Sequence, residues 1–304
     1  MSQAAAAPAE PALAVRIREV SREIDAALNR ELCSPADSSR RLTDAIRHAA
    51  IGGGKRLRPL LVCAASELYD VPFGQALRAG LAVECVHVHS LIHDDLPCMD
   101  DDDMRRGRPT VHVAFDDATA VLAGDALLAL AFQLLGDERT HPSGAVRAQL
   151  VVELARAAGA EGMAAGQMLD LFPEPDADVA TVTRLQRLKT GALIGWAVEA
   201  GAILGEAPPE HRTGLRGYAH SLGLAFQIAD DLLDHQGDEG VCGKKLRKDE
   251  RQGKTNFVTL LGAERARRQA EALVEQALAH LHFVDGRPAS LLTQIARFAI
   301  DRDR

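Results

Sequence analysis

The densest set of reactive side chains lies in residues 90–110, which read SLIHDDLPCMDDDDMRRGRPT. Its acidic and basic members are Asp94, Asp95, Asp100, Asp101, Asp102, Asp103, Arg105 and Arg106. Carboxylates this close repel one another unless cations lie among them, and Mg²⁺ is commonly held by one or two carboxylates together with substrate phosphates. The adjacent guanidinium groups can bind phosphate oxygens in bidentate fashion. The stretch predicts a site for a metal-bridged diphosphate, and the alternative is a solvated acidic turn.

A second acidic cluster closes the apolar run FQIADDLLD at residues 226–234. Residues four apart in a helix lie on one face, so Asp230 and Asp234 would project together, about 6 Å apart along the axis. Two carboxylates placed in this way, with Asp231 next to them, can clamp divalent ions. Each cluster ends an apolar run and is followed by Lys or Arg. The pair therefore indicates two facing metal clamps for a diphosphate leaving group.

The first cluster is less regular than the second. On an ideal helix Asp94 would align with Asp101 rather than with Asp100. Pro97 disturbs the last turn, so we expect the motif to end off the helix. The sequence alone leaves open which of residues 100–103 faces inward.

A glycine-rich basic segment, GGGKRLRP, occupies residues 52–59. Bare backbone N–H groups followed by Lys55, Arg56 and Arg58 could cradle an anion. The segment lacks the spacing of a P-loop. The alternative is a basic helix start with no ligand.

The elements that must position these residues are helices. The 304 residues are 47% hydrophobic and only 4% aromatic, and the abundant Ala and Leu favour helix over sheet. Apolar spacing predicts helices over residues 11–32, 37–51, 57–68, 74–96, 117–135, 145–171, 179–204, 210–233, 258–282 and 288–300. Period-two alternation is absent, so strands should be absent or trivial. Without a dividing linker or repeat, we expect one all-α domain over residues 11–304.

The composition limits which ligands and which cellular location we expect for the protein. A net charge of −8 argues against a nucleic-acid backbone as ligand. The five cysteines form no C-x-x-C pair and are expected to be reduced thiols of a cytosolic protein. Residues 1–10 have no basic region before an apolar run, so we expect a frayed tail rather than a secretory signal. No run approaches the roughly twenty apolar residues of a membrane span, so we expect a soluble protein without stable membrane insertion.

Seven motifs, in order and spacing, resemble the bacterial trans-isoprenyl diphosphate synthases of the farnesyl and geranylgeranyl type. They are GGKRLRP at 53–59, HxxSLIHDDLPxMDxDxxRRGxPT at 87–110, LAGDAL at 122–127, GQMLDL at 166–171, KTGAL at 189–193, FQIADDLLD at 226–234 and GKTxF at 253–257. The resemblance covers the chain from about Ile17 onward. It implies a single large antiparallel helix bundle around a central cavity (the isoprenoid synthase fold), a homodimer and a Mg²⁺-dependent prenyltransferase.

The resemblance also assigns roles to individual residues. Three Mg²⁺ ions would be held by Asp94, Asp95, Asp100, Asp230, Asp231 and Asp234. The allylic diphosphate would be held by the metals together with Arg105, Lys189 and Lys244. The diphosphate of isopentenyl diphosphate would be held by Lys55, Arg58, His87 and Arg106. The allylic cation would be stabilised by the backbone carbonyl near Lys189, the Thr190 hydroxyl and the Gln227 amide oxygen.

Product length depends on the floor of the cavity, one helical turn before Asp94. His89 and Ser90 lie there, and their side chains point back along the helix. Family members that make the C15 product tend to have an aromatic side chain at this floor, and C20 makers keep it small. Imidazole is bulky enough to block, so we expect farnesyl diphosphate, with geranylgeranyl diphosphate as the alternative.

Two alternatives from other classes are disfavoured. A noncatalytic subunit of a heteromeric synthase would be expected to have lost aspartates from one cluster, and both clusters are intact. A terpene cyclase of similar fold binds one diphosphate and would be expected to lack the GGKRLRP and RRG anion sites, which are present.

Overall fold

The computed structural model describes residues 12–32, 39–174, 176–236, 255–284 and 287–301. Its first helices are α1 (Ala12–Glu31), α2 (Arg40–Ala50), α3 (Leu57–Glu67), α4 (Phe73–Asp94), α5 (Val111–Ala114), α6 (Asp117–Gly136) and α7 (Gly144–Ala158). They are followed by α8 (Met163–Leu171), α9 (Val179–Gln186), α10 (Ala192–Leu204), α11 (Pro209–Gln236), α12 (Phe257–Leu261), α13 (Ala263–Ala279) and α14 (Arg287–Ile300). The expected all-α fold is confirmed.

Helix α4 lies at the centre of the bundle. It is apolar nearly all round, and it packs against α3 on one side and α6 on the other. A helix that is hydrophobic on every face must be buried on every face. The buried residues of the described chain belong to one hydrophobic cluster, with Leu81, Val83 and Val86 of α4 at most 1% exposed. The end of this rigid central helix carries the first aspartate cluster.

Strands are trivial, as expected. A two-residue strand β1 (Met104–Arg105) pairs antiparallel with β2 (Arg108–Pro109). This hairpin follows the acidic stretch directly and fixes the backbone at Arg105.

The predicted helix over residues 145–171 is wrong, because the chain breaks it into α7 and α8. A Cβ at Gly162 would lie 2.1 Å from the Ala157 carbonyl oxygen, so only glycine allows the turn at that position. The break frees α8 to contact the turn that follows α9. The predicted helix over residues 258–282 is also interrupted, at Gly262, whose φ is +79°.

A π-helical turn (Arg187–Gly191) joins α9 to α10. Such insertions in otherwise α-helical segments recur at functional sites. Here the turn carries Lys189 and Thr190, both expected to face the substrate, and it packs against α8 and α11. The apolar spacing predicts one regular helix over residues 179–204, because a π-turn has no distinct apolar pattern.

Helix α6 corrects the expectation that no apolar run approaches membrane-spanning length. Of the described helices it alone is long and apolar enough to cross a membrane, by length and composition. However, 44% of its most apolar stretch is buried inside the protein, and it packs against α4. One side of α6 thus packs into the protein core, and the other side is exposed.

Candidate active site

One cavity of about 370 Å³ brings together seven of the predicted site residues. Its charged and polar wall includes Arg58, His87, Asp94, Lys189 and Thr190. His89, Ser90 and Gln167 also line it, and most of the remaining lining is apolar, including Met163, Met168 and Leu193. A cavity that combines charged groups with a largely apolar lining suits a ligand with an anionic head and a hydrocarbon tail.

The acidic loop after α4 folds back onto the helix end. The backbone N–H of Asp100 donates to the Asp94 carbonyl at 2.8 Å, and the N–H of Asp102 donates to the Asp95 carbonyl at 3.2 Å. Asp101 can follow because it adopts a left-handed conformation with φ of +52°. This geometry brings Asp100 back beside Asp94. After Lys189, Asp100 is the charged group with the largest effect on the pKa of Asp94.

Asp94 carries negative charge that its surroundings do not fully compensate. Burial raises the pKa of Asp94 to about 6, Lys189 opposes the shift, and the neighbouring carboxylate of Asp100 adds to it. A divalent cation between the two carboxylates would displace the proton and relieve the repulsion. Asp94 and Asp100 therefore form the pair best suited to a metal.

Asp95 differs from Asp94 in having a guanidinium partner. Arg105 Nε donates to both carboxylate oxygens of Asp95, at 2.7 and 2.9 Å, and Arg105 Nη2 lies 2.6 Å from Oδ1. Arg105 also lies 3.7 Å from Asp102. Burial raises the pKa of Asp95, while the Arg105 hydrogen bond opposes the rise. Arg105 is thus held by the acidic loop, with its position set by Asp95.

The second cluster is linked to the cavity through a hydrogen-bonded chain. The Thr190 hydroxyl donates to the Gln227 amide oxygen at 3.2 Å, and the Gln227 amide nitrogen donates to Asp231 at 2.9 Å. The other Asp231 oxygen accepts the backbone N–H of Phe257 at 3.0 Å. Asp231 therefore turns the Gln227 amide so that its oxygen faces Thr190.

The three aspartates of α11 are not equivalent. Asp231 is only 3% exposed, and protein donors reach both of its oxygens. Asp230 and Asp234 are half-buried. These contacts give Asp231 an orienting role that the sequence analysis did not foresee, and its assignment as a metal ligand stays a prediction.

Two residues of the GQMLDL motif belong to the site, although the sequence analysis gave them no role. Asp170 accepts a 2.7 Å bond from the Lys189 ammonium. Gln167 lines the cavity, and neither its amide oxygen nor its amide nitrogen has a hydrogen-bond partner among the described residues. In the sequence, the feature that could have indicated a role is the pair of polar residues Gln167 and Asp170, three positions apart in an otherwise apolar motif.

Gly166 of the same motif allows α8 to touch the π-turn. A Cβ at this position would lie 2.2 Å from the Lys189 nitrogen and 2.5 Å from the Lys189 Cα. These are backbone atoms, which cannot move aside cheaply. The glycine thus lets Asp170 approach Lys189.

His89 and His93 form the boundary of the cavity below Asp94. Their ring centroids lie 4.5 Å apart, and His93 Nε2 lies 3.1 Å from the Val121 carbonyl oxygen. Gly124 makes room for His93, since a Cβ there would lie 2.2 Å from Nε2. Burial, followed by His93, lowers the pKa of His89 to about 4, so this ring is neutral at pH 7. A neutral ring fits an apolar tail.

Basic residues cluster around His87. Burial and then Arg58, Arg106 and Arg105 lower the pKa of His87 well below its usual range. Arg58 and His87 line the cavity. Lys55 does not, and its ammonium lies 5.5 Å from the Phe298 ring centroid. Lys244 lies outside the described residues.

The three glycines act differently from the expected anion cradle. A Cβ at Gly54 would lie 2.8 Å from the Arg106 guanidinium, and one at Gly53 would lie 3.2 Å from it. The faces of Gly53 and Gly54 are therefore covered by Arg106, whereas nothing lies within 4 Å of a Cβ at Gly52. Gly52 and Gly54 also have φ of +79° and +87°, which few other residues adopt.

Comparison with known proteins gives this geometry a family. The sequence model of the family described as Polyprenyl synthetase matches residues 39–285. The chain belongs to the polyprenyl synthetase family. It is 42% identical over 268 residues to the farnesyl diphosphate synthase of Escherichia coli, covering 86% of this chain and 90% of that one. Plant geranylgeranyl pyrophosphate synthases match at 40–42% identity.

Solved structures agree with the family and with the expected isoprenoid synthase fold. The apo crystal structure of an FPP/GFPP synthase from Zymomonas mobilis superimposes with a TM-score of 0.87 at 52% identity, covering 94% of this chain and 98% of that one. A geranyltransferase from Helicobacter pylori, complexed with magnesium and isoprenyl diphosphate, gives 0.82 at 30% identity, with 97% and 98% covered. This member of the family is a prenyltransferase with trans-prenyl diphosphate synthase activity.

The donor set of this polyprenyl synthetase fits magnesium. Carboxylate oxygens are the ligands that Mg²⁺ prefers, and the raised pKa of Asp94 marks charge that a cation would neutralise. Among the described residues, no three acidic, His or Cys side chains already converge on one point. Mg²⁺ is commonly held by one or two carboxylates, with water and substrate phosphate completing its shell.

Proposed function

We propose that the protein condenses isopentenyl diphosphate with dimethylallyl or geranyl diphosphate, head to tail, and releases farnesyl diphosphate and diphosphate. The observation that carries this proposal is a cavity lined by Asp94, by the cations Arg58 and Lys189, and otherwise largely by apolar side chains. The relatives support the reaction class, and the magnesium complex of the Helicobacter pylori protein supports the cofactor.

Three Mg²⁺ ions, when bound, would neutralise the charge of the departing diphosphate without proton transfer. We propose that Asp94, Asp95 and Asp100 hold two of them and the α11 aspartates the third. Arg105, Lys189 and Lys244 would bind the same allylic diphosphate. Asp95 and Asp170 support this role, because each fixes one of these cations at 2.6–2.7 Å. The bond from C1 to oxygen then breaks heterolytically, with the electron pair leaving on diphosphate.

Isopentenyl diphosphate would bind on the opposite side, against Lys55, Arg58, His87 and Arg106. Its alkene attacks C1 of the allylic cation, a new carbon–carbon bond forms, and the released diphosphate accepts the final proton. The Thr190 hydroxyl and the Gln227 amide oxygen would stabilise the cation. Because Thr190 donates its proton to Gln227, its lone pairs remain available to a positive charge.

The length of the product is measured directly by an assay with both substrates. Purified protein with Mg²⁺, isopentenyl diphosphate and geranyl diphosphate should give a C15 product by mass spectrometry. The contact between His89 and His93 supports this expectation, because a ring packed at 4.5 Å against a neighbour held by α6 cannot easily swing aside. His89→Ala should shift the main product to C20 or longer, since one helical turn of about 5.4 Å is close to one isoprene unit.

Ser90→Ala is the matched control for this prediction. The Ser90 hydroxyl donates back to the His87 carbonyl at 2.8 Å, so its removal opens little space, and product length should not change. A C20 product from the unsubstituted protein would favour geranylgeranyl diphosphate synthase. If His89→Ala leaves the product length unchanged, the residue that limits chain growth would lie deeper in the cavity, near Cys85 or Val86.

We propose a homodimer formed through α6, in a cytoplasmic protein. The exposed side of α6 carries Ala118, Val121, Leu122 and Ala129, with Asp117 at its start and Asp125 in its middle as the charges. These positions form one helical stripe, and Leu122 is 58% exposed. The same apolar stripe on a second copy would cover it by two-fold symmetry, as the family resemblance implies. Free Cys63, Cys85 and Cys98 support the location.

Leu122→Glu should convert the dimer into a monomer, because it places two buried charges at the centre of the two-fold contact. Light scattering after size-exclusion chromatography should show half the mass. Val15→Glu is the control, since Val15 is 48% exposed on α1, away from this stripe. A mass that Leu122→Glu leaves unchanged would remove α6 from the interface.

A further inference from the structure

Glu84 is a buried acid in the middle of the otherwise apolar helix α4. It is 2% exposed, and its Oε1 accepts a 2.6 Å bond from Arg56 Nη1. Arg56 is equally buried, and its Nη2 donates to Asp25 at 2.6 Å and to the Ala50 carbonyl at 2.5 Å. A buried charge pair is retained only when its hydrogen bonds are well made. Here Arg56 joins three elements, α1, α2 and α4.

The backbone at Arg56 is as unusual as its side chain. Its φ of +48° and ψ of +40° are left-handed, a conformation that residues other than glycine seldom adopt. The residue lies between the glycine turn and α3, so this conformation decides how the chain leaves the turn. Lys55 precedes it and Arg58 follows in the first turn of α3. The inward Arg56 side chain thus fixes the segment that presents both cations.

Glu84 also lies close to the basic cluster around His87. It is three residues before His87 on α4, and Arg58, Arg106, Arg105 and Arg56 all act on the pKa of His87. Burial lowers the pKa of Arg106, and among the charged groups Glu84 opposes this shift most strongly. Four guanidinium groups so close together repel one another, and a fixed anion below them limits their separation.

We propose that Glu84 is a positioning residue for one of the two diphosphate sites, acting through Arg56 on Arg58 and its neighbours. The proposal rests on the proposed function, in which Arg58, His87 and Arg106 of this cluster bind isopentenyl diphosphate. Glu84 itself does not line the cavity and is not a catalytic residue. Guanidinium groups bind phosphate oxygens directly, so binding at this site should not need a metal.

The sign of the effect separates positioning from simple charge. If Glu84 acted only through its charge, Glu84→Gln would leave the cluster more positive and tighten diphosphate binding. If Glu84 positions the cluster, the loss of its charge releases Arg56 and weakens binding. We expect Glu84→Gln to raise KM for isopentenyl diphosphate about tenfold, while KM for geranyl diphosphate changes less than twofold. The Kd for isopentenyl diphosphate without Mg²⁺, by titration calorimetry, should rise in parallel.

Glu199→Gln is the matched control. Like Glu84, Glu199 forms ion pairs with arginine, here Arg212 and Arg216, but it lies outside the cavity. Glu199→Gln should lower Tm without changing either KM. If Glu84→Gln does not fold, Asp25→Asn replaces it as the test, because Asp25 is the partly exposed partner of Arg56. This variant should raise KM for isopentenyl diphosphate by a smaller factor. Unchanged or tighter isopentenyl diphosphate binding would overturn the proposal. An unsubstituted protein that makes no prenyl product would instead overturn the proposed function.

Discussion

Asp94→Asn and Asp100→Asn should each reduce prenyl transfer about a thousandfold, with the Mg²⁺ requirement shifted to higher concentration. The two carboxylates lie together at the end of α4, and burial with mutual repulsion raises the pKa of Asp94 to about 6. Asparagine keeps the shape but removes the charge that a divalent ion would neutralise. A metal contributes several kcal/mol to such a transition state, and about 4 kcal/mol corresponds to a thousandfold.

Asp101→Asn is the control within the same loop. Asp101 is exposed and has a left-handed backbone that asparagine tolerates equally well. Its activity should stay within about threefold of the unsubstituted protein, because surface substitutions of this kind seldom disturb the fold. If Asp101→Asn were as inactive as Asp94→Asn, the inward member of the loop would be Asp101, as on an ideal helix. The measurement is initial rate against Mg²⁺ concentration for all three variants.

Gly166→Ala should lower kcat about a hundredfold and also lower Tm. The added methyl group would lie 2.2 Å from the Lys189 backbone nitrogen, so α8 and the π-turn must move apart. That movement breaks the Lys189–Asp170 ion pair and disturbs Thr190 next to it. A displacement of about 1 Å in positioning groups can cost a hundredfold in rate.

Gly195→Ala on α10 is the matched control for Gly166→Ala. Nothing lies within 4 Å of a Cβ at this position, and alanine is the better helix former by up to about 1 kcal/mol. Its activity should be unchanged and its Tm equal or higher. A fully active Gly166→Ala would show that the close approach of α8 to the π-turn is not needed for catalysis. Steady-state kinetics and thermal unfolding measure both effects.

Clustered motifs made the fold class and most of the site predictable from the sequence. The two aspartate clusters, the RRG arginines and KTG are local patterns, so their chemistry could be inferred without coordinates. Helix ends were predictable where apolar spacing changes, as at Asp94. They were missed at Gly162, because the alanine-rich sequence continues across a turn that only the contact with Ala157 reveals.

Contacts between distant parts of the chain could not be predicted. Arg56 and Arg58 look alike in the sequence, yet one is buried against Glu84 and the other lines the cavity. The partner of Lys189 is Asp170, 19 residues earlier, which no spacing rule indicates. The orienting role of Asp231 likewise depends on Phe257, 26 residues away. Such pairings arise from packing, and a single sequence carries no direct record of them.

The most direct test of chain elongation is the release of diphosphate, measured with Mg²⁺ and each substrate alone or both together. The proposed reaction predicts rapid release only when geranyl and isopentenyl diphosphate are both present, with one C15 product formed per diphosphate released. Rapid release from geranyl diphosphate alone, with formation of a C10 alcohol or cyclic product, would contradict it. No release with both substrates present would contradict catalysis altogether.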